Sequence, residues 1–114
     1  REVYAVELLE ELGLRAQRTL ARLGYSNVEV IIGDGSLGYE PAAPYDGIIV
    51  AAAAPEIAPA WEEQLAEGGR IVAPVGDMRM QTCTVARKQG GELLVTGDIG
   101  CVFVPLRGRY GQPE

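Results

Sequence analysis

The apolar positions of this 114-residue chain change period along its length, and each change marks an element. Val3, Tyr4, Ala5 and Val6 form a short apolar run that stops on the carboxylate of Glu7, a strand pattern that gives way at once to helical spacing. Leu9, Leu12, Ala16, Leu20 and Leu23 recur at steps of three and four. Glu10, Glu11, Arg15, Arg18 and Arg22 cover the other side, and Gly24 stands where a left-handed C-cap belongs. Val28, Val30 and Ile32 then alternate with Glu29 and Ile31 as a second strand, and residues 33–45, with Pro41 and Pro44, read as a loop. After Asp46, the run Gly47-Ile48-Ile49-Val50 is continuously apolar, the pattern of a central parallel strand covered on both faces. Pro55 and Pro59 mark the entry to a helix that carries Ile57, Trp61 and Leu65 beside Glu62, Glu63 and Glu67 and ends at Gly68-Gly69. Residues 70–75 read as a further strand. Residues 82–88 and 92–106 read as two antiparallel strands joined at Gly90-Gly91, with a bend over 97–100.

This alternation predicts an α/β fold: a doubly wound parallel sheet with an antiparallel C-terminal edge, one domain at most, without repeat or linker. Ligands of such sheets lie outside the carboxyl ends of the strands, so Glu7 and residues 33–38, 51–56 and 74–76 are expected to converge on one crevice. Glu7 is the most informative of these. A carboxylate at a strand tip accepts hydrogen bonds from both hydroxyls of a ribose. The Gly-rich turn that ordinarily precedes such an acid is missing, and the chain opens at Arg1, so it reads as the later part of a longer protein.

Composition narrows the chemistry. Ten Lys plus Arg against sixteen Asp plus Glu give a net charge of −6, with no basic run able to track phosphates, which disfavours nucleic-acid binding. The most apolar stretch, residues 48–54, is far shorter than the roughly 20 residues of a membrane span, and no signal pattern is present, so the expected setting is the cytoplasm, away from membranes. Cys83 and Cys101 lack metal-type spacing and read as buried thiols; the absence of His removes most zinc sites and the His-dependent nucleophile schemes. Residues 33–38 do satisfy the dinucleotide fingerprint G-x-G-x-x-G after a strand. They fail on context, because residues 39–45 carry two prolines and no helical period, and Ala51 to Ala54 occupy the place of the distal acid. Asp34 is better used as an acceptor for an exocyclic amine, with Gly33 and Gly35 allowing close approach of a flat base. A tight turn with an Asx hydrogen bond is the alternative.

The segments Val-Tyr-Ala-Val-Glu at 3–7, Arg-Leu-Gly-Tyr-Ser-Asn-Val at 22–28, Gly-Asp-Gly at 33–35, Pro-Tyr-Asp-Gly-Ile-Ile-Val at 44–50, Ala-Ala-Ala-Pro-Glu-Ile at 52–57, Gly-Gly-Arg-Ile-Val-Ala-Pro-Val-Gly at 68–76 and Phe-Val-Pro-Leu at 103–106, taken together, resemble the protein-L-isoaspartate O-methyltransferase family. The resemblance spans nearly the whole chain in the family's order. It implies a Rossmann-like class I S-adenosylmethionine-dependent methyltransferase sheet, here incomplete, the C-terminal portion of a single methyltransferase domain. It also implies methylation of the α-carboxyl of L-isoaspartyl residues in damaged proteins, a repair reaction whose ester closes to a succinimide and reopens partly to aspartate. Carried over residue by residue, Glu7 would hold the ribose hydroxyls of S-adenosylmethionine and Asp34 and Gly35 its adenine. Ala53, Ala54, Pro55, Pro74 and Val75 would shape the substrate crevice through backbone contacts and apolar walls. Some members place a Thr and a Gln near the cofactor after Val-Pro-Leu; Gln112 fits the second, whereas Arg107 replaces the first. For Pro55 and Pro74, helix entry and strand exit are the plain alternatives, and Trp61 and Tyr45 read as ordinary packing.

No catalytic residue or metal is expected, because a carboxylate is ionised at neutral pH and a sulfonium is already an activated donor, which leaves alignment and electrostatics to the protein. The family's Gly-rich turn and a hydroxyl residue that helps bind the substrate carboxylate lie before Arg1. The first strand that would accompany them belongs beside the Val3 and Ile48 strands, so its absence is expected to expose two hydrogen-bonding edges and to favour self-association. The alternative is a truncated, non-catalytic remnant kept as a binding or interaction module. Another small-molecule or RNA methyltransferase is a third reading, against which the Ala-Ala-Ala-Pro-Glu-Ile segment argues.

Overall fold

A computed structural model describes residues 1–113, with the side chain of Asp98 excepted. The chain divides into two compact units, Arg1–Gly35 and Ser36–Glu114. In the first, β1 (Val3–Glu7) and β2 (Val28–Ile32) pair in parallel, Val3 opposite Val28 and Glu7 opposite Ile32. The helix α1 (Glu10–Arg22) joins them, with Glu10 and Glu11 in its first turn and Arg22 in its last, the polarity its dipole favours. It packs mainly on β2, and Gly13 is its one buried residue, with Ile32 lying over it. Ala16 and Leu20 are half-buried, whereas Leu9, Leu12 and Leu23 of the expected stripe are exposed. The covered face is thus narrower than the leucine spacing implies. Gly24 takes the left-handed conformation (φ 83°) that ends the helix.

The second unit is a four-stranded sheet in the order β3 (Tyr45–Ile49), β4 (Leu65–Gly76), β5 (Gln81–Gln89), β6 (Glu92–Cys101). Strands β3 and β4 are parallel and the last two pairs antiparallel, which gives the antiparallel C-terminal edge. A two-residue turn at Gly90-Gly91, both at positive φ, joins β5 to β6, and the carboxylate of Glu67 accepts the N–H groups of both. The core gathers Ala54, Ala58, Trp61, Leu65, Ile71, Ala73 and Ala86, with Ile48, Val50 and Ile57 packed on it.

Four expectations are corrected. The helix α2 (Pro59–Gln64) stops short of Gly68, and Leu65 already belongs to β4. Leu65 is 2% exposed and pairs with Tyr45, and the ammonium of Lys88 donates to the carbonyls of Glu62 and Leu65, so burial and a C-terminal cation end the helix early. Strand β3 is covered on one face, not two: successive side chains of a strand point to opposite faces, and Ile48 packs on the core while Ile49 is 84% exposed. The strand expected to reach Leu106 ends at Cys101, after an irregularity in its pairing with β5 that falls between the pairs Val85–Thr96 and Cys83–Ile99, within the predicted bend. Cys83 and Cys101 are free thiols, but partly exposed.

Ile71 is fully buried at the centre of this core. Ile71→Ala is expected to cost about 2–5 kcal/mol of stability, the range for an unfilled cavity at such a position. Chemical denaturation measures it, and a loss below about 1 kcal/mol would show that the core collapses to fill the gap.

Candidate functional site

At the carboxyl end of the parallel pair, Glu7 and the turn after β2 come together. The N–H of Gly33 donates to the backbone carbonyl of Glu7 at 2.9 Å, which brings residues 33–35 beside the strand tip. The Glu7 side chain is half-buried and receives one long hydrogen bond, 3.4 Å from the N–H of Leu9, so most of its acceptor capacity is open to a ligand. Gly33 and Gly35 are not required by the chain itself. Neither has positive φ, and a Cβ there would meet only Ile31 at 4.0 Å or Val6 at 3.8 Å. Small residues that the fold does not demand leave room for something flat, and Asp34 between them supplies an acceptor. Two carboxylates, Glu7 and Asp34, thus stand at this end of the parallel pair, each an acceptor when ionised.

In the second unit, residues 53–54 and 74–76 take part in a hydrogen-bonded seam. Ala53 and Ala54 lie between two other segments, in parallel bridges to Pro105 on one side and Val75 on the other. Ala53 donates to the carbonyl of Val104 at 2.6 Å and accepts from Leu106; Ala54 donates to Pro74 and accepts from Gly76, each at 2.9 Å. All four backbone groups are engaged and both alanines are fully buried. Their direct part is thus to fix their neighbours; Pro55, which is exposed, and Val75, which is half-buried, are the accessible members, while Pro74 is buried. Gln112, 7% exposed, joins this seam, with its amide nitrogen donating to the carbonyls of Ala53 (3.2 Å) and Gly76 (2.8 Å).

Three polar residues of this unit escaped the sequence reading. Ser36 is fully buried and its hydroxyl accepts the N–H of Tyr110 at 3.1 Å. Gln64 receives the N–H of Tyr39 and donates to the carbonyl of Leu37, and Gln81 donates to Asp77 and receives Phe103. Each partner is remote in sequence or on a loop, so no local pattern marks it. Trp61, in contrast, is core as expected, and the Tyr45 hydroxyl donates to the carbonyl of Tyr39. Among the described residues no cluster of His, Cys, Asp and Glu could hold a metal, and no helix is long and apolar enough to cross a membrane.

A Rossmann-like α/β methyltransferase sheet, incomplete in this chain, is the class these elements define. The sequence profile of the protein-L-isoaspartate(D-aspartate) O-methyltransferase family matches residues 1–111, and the chain belongs to that family. It is 46% identical over 115 residues to the protein-L-isoaspartate O-methyltransferase of Pyrococcus abyssi, covering 99% of this chain and 53% of that protein. With the enzyme of Koribacter versatilis it shares 49% identity, covering 96% of this chain and 50% of the other. The chain therefore spans about half the length of the curated relatives it matches. A solved protein-L-isoaspartate O-methyltransferase superposes with a TM-score of 0.90 at 31% identity, over 96% of this chain and 35% of its own. A Plasmodium falciparum structure assigned to the same enzyme, in complex with S-adenosyl-L-homocysteine, shares the fold (TM-score 0.80, 22% identity, 93% of this chain and 52% of its own).

The turn after Gly76 holds an ionisable group with a clear shift. Asp77 accepts the N–H groups of Arg79 (2.8 Å) and Met80 (3.2 Å), and these, with the Arg79 guanidinium at 3.5 Å, hold its carboxyl below the usual range. A lowered pKa means that the folded turn favours the charged form. Its contribution is complete above the ordinary Asp value of about 3.9 and is lost as pH falls through the lowered one. The amide resonances of Arg79 and Met80 should accordingly titrate with a midpoint below about 3.9, and a midpoint at or above it would contradict the turn.

Proposed function

We propose that the protein to which this chain belongs transfers a methyl group from S-adenosylmethionine to the α-carboxyl of L-isoaspartyl residues in damaged proteins and peptides. The observation that carries the reading is the Glu7 carboxylate at the tip of β1, joined through its own backbone to the Gly33-Asp34-Gly35 turn, in a chain matched to the family over residues 1–111. In this reading Glu7 holds the ribose hydroxyls, Asp34 and Gly35 meet the adenine, and the segments around Pro55 and Val75 bound the place of the isoaspartyl backbone. The cofactor, when bound, supplies a methyl group already activated on a sulfonium, and the acceptor is a carboxylate ionised at neutral pH. What remains for this chain's residues is to orient the two, so none of them needs to act as a general base.

Both units belong, in the same reading, to one methyltransferase domain, supported by a single family match that runs through them. The acidic composition is compatible with a substrate recognised by one misrouted backbone unit rather than by charge. A cytoplasmic setting, supported by two cysteines that stand as free thiols, belongs to the proposal as well. The family match also supports an enzyme over a non-catalytic remnant.

Calorimetric titration of the full-length protein with S-adenosylhomocysteine tests the cofactor half. Glu7→Ala and Asp34→Ala should each weaken binding by about 1–3 kcal/mol, roughly 5- to 150-fold, as expected for buried hydrogen bonds to a ligand. Unchanged affinity in both would remove these residues from the site. Methyl transfer to an isoaspartyl peptide, with the aspartyl peptide of the same sequence as control, tests the substrate half; equal activity on the two would overturn it.

A further inference from the structure

Half of the segment Gly33-Asp34-Gly35-Ser36-Leu37-Gly38 is glycine, the residue whose backbone loses most freedom on ordering, yet a buried side chain from another element holds its end. That side chain is Gln64, the last residue of α2. Its Oε1 accepts the N–H of Tyr39 at 2.9 Å and its Nε2 donates to the carbonyl of Leu37 at 3.2 Å, so both polar atoms of one amide close on the backbone on either side of Gly38. Gly38 is fitted to this contact. It stands at φ 65°, in the left-handed region, and a Cβ there would lie 2.1 Å from the Gln64 Oε1. The clamp is itself held from both sides. On the loop, the Tyr45 hydroxyl donates to the carbonyl of Tyr39; at the helix end, the Lys88 ammonium donates to the carbonyls of Glu62 and Leu65, before and after Gln64.

The geometry points to Gln64 as a positioning residue for the cofactor, one that acts through the turn Gly35–Leu37 rather than by contact. The inference rests on the reading that Asp34 and Gly35 meet the adenine. Two observations carry it. Gly35 opens a short 3-10 turn that closes on Leu37, the residue whose carbonyl Gln64 holds. Between them Ser36 is fully buried with its hydroxyl accepting the N–H of Tyr110, so the turn is fixed at its middle and at its end. The second observation is that the segment supplies little stiffness of its own, since neither Gly33 nor Gly35 is confined by a neighbour of a would-be Cβ closer than 3.8 Å. A loop already ordered does not have to be ordered by its ligand. The clamp thus raises affinity by removing an entropic cost, without adding a contact.

Gln64→Met in the full-length protein keeps the length of the side chain and removes donor and acceptor together. Native-state hydrogen exchange reads the clamp without activity: the Tyr39 amide should exchange faster by about tenfold, the factor for losing one hydrogen bond that holds a local opening, while Ala86 and Arg87 in the middle of β5 stay unchanged. Calorimetry should show affinity for S-adenosylhomocysteine reduced by about tenfold, and KM for S-adenosylmethionine should rise while kcat at saturating cofactor stays within about twofold, because the bound cofactor orders the loop in both proteins. Faster Tyr39 exchange with unchanged cofactor affinity overturns the proposal and leaves Gln64 a purely structural residue. So does wild-type exchange at Tyr39, and so does equal acceleration at Tyr39, Ala86 and Arg87, which would make Gln64 a general stabiliser. Should Gln64→Met fail to fold, Gly38→Ala opens the clamp from the loop side and leaves the helix intact: faster exchange at Tyr39 together with weaker S-adenosylhomocysteine binding is expected, and wild-type affinity overturns the proposal. Wild-type protein that binds no S-adenosylhomocysteine refutes the proposed function and the positioning role with it, whereas a failure confined to the Gln64 and Gly38 variants refutes the positioning role alone.

Discussion

The second unit depends on two alanines whose backbone pairs on both sides. Ala53 and Ala54 tie residues 104–106 to the end of β4, so a loop that would otherwise be solvated becomes an interior segment with every polar group satisfied. That arrangement dictates the side chains. Anything larger than a methyl group would have to fit where exposure is zero, and any lost partner would leave a buried carbonyl or N–H unpaired. The core beneath, with Trp61, Leu65 and Ile71, supports the seam from the sheet side, and Gln112 closes it from the tail.

The other unit has a different character. It holds no fully buried apolar side chain, and Val3, Leu9, Leu12, Leu23 and Ile32 are exposed on a two-stranded sheet with one helix. Two strands alone are marginal in water. Strand β1 pairs with β2 on one side only among the described residues, as β3 does with β4, so each unit presents an unpaired parallel edge. Glu7 stands at the end of one of these edge strands, with its backbone carbonyl held by Gly33 and its carboxylate accepting one long hydrogen bond from Leu9.

Buried amide side chains recur as the means of joining distant segments. Gln64, Gln81 and Gln112 each pair with backbone groups of loops. A glutamine offers two donors and an acceptor at the end of a flexible stem without the desolvation cost of an ion, which suits it to clasp loops within an apolar unit.

Among the described residues, the alternation of periods in the sequence was enough to find the strands and the two α-helices, the Gly90-Gly91 turn and the αL end of α1, because each is set by neighbours within a few residues, while the short 3-10 turns at Gly35–Leu37 and Glu40–Ala42 read as loop. Glu7 and Asp34, the acids on which the proposed cofactor contacts rest, stand out for the same reason: an acid that ends an apolar run and a Gly-Asp-Gly after another are local signals. Tertiary structure decided the rest. The end of α2 at Gln64 depends on Leu65 finding a place in the core and on Lys88, 23 residues away, reaching its carbonyl. The one-sided cover of β3 depends on which of its faces other elements pack against, and an apolar run such as Ile48-Ile49-Val50 reads alike in either case. The union of Ser36, Ala53, Gly76 and Gln112 spans contacts of up to 74 residues, and hydrogen bonds between such distant groups leave no period in a sequence, since they are made only when the chain has brought the loops together.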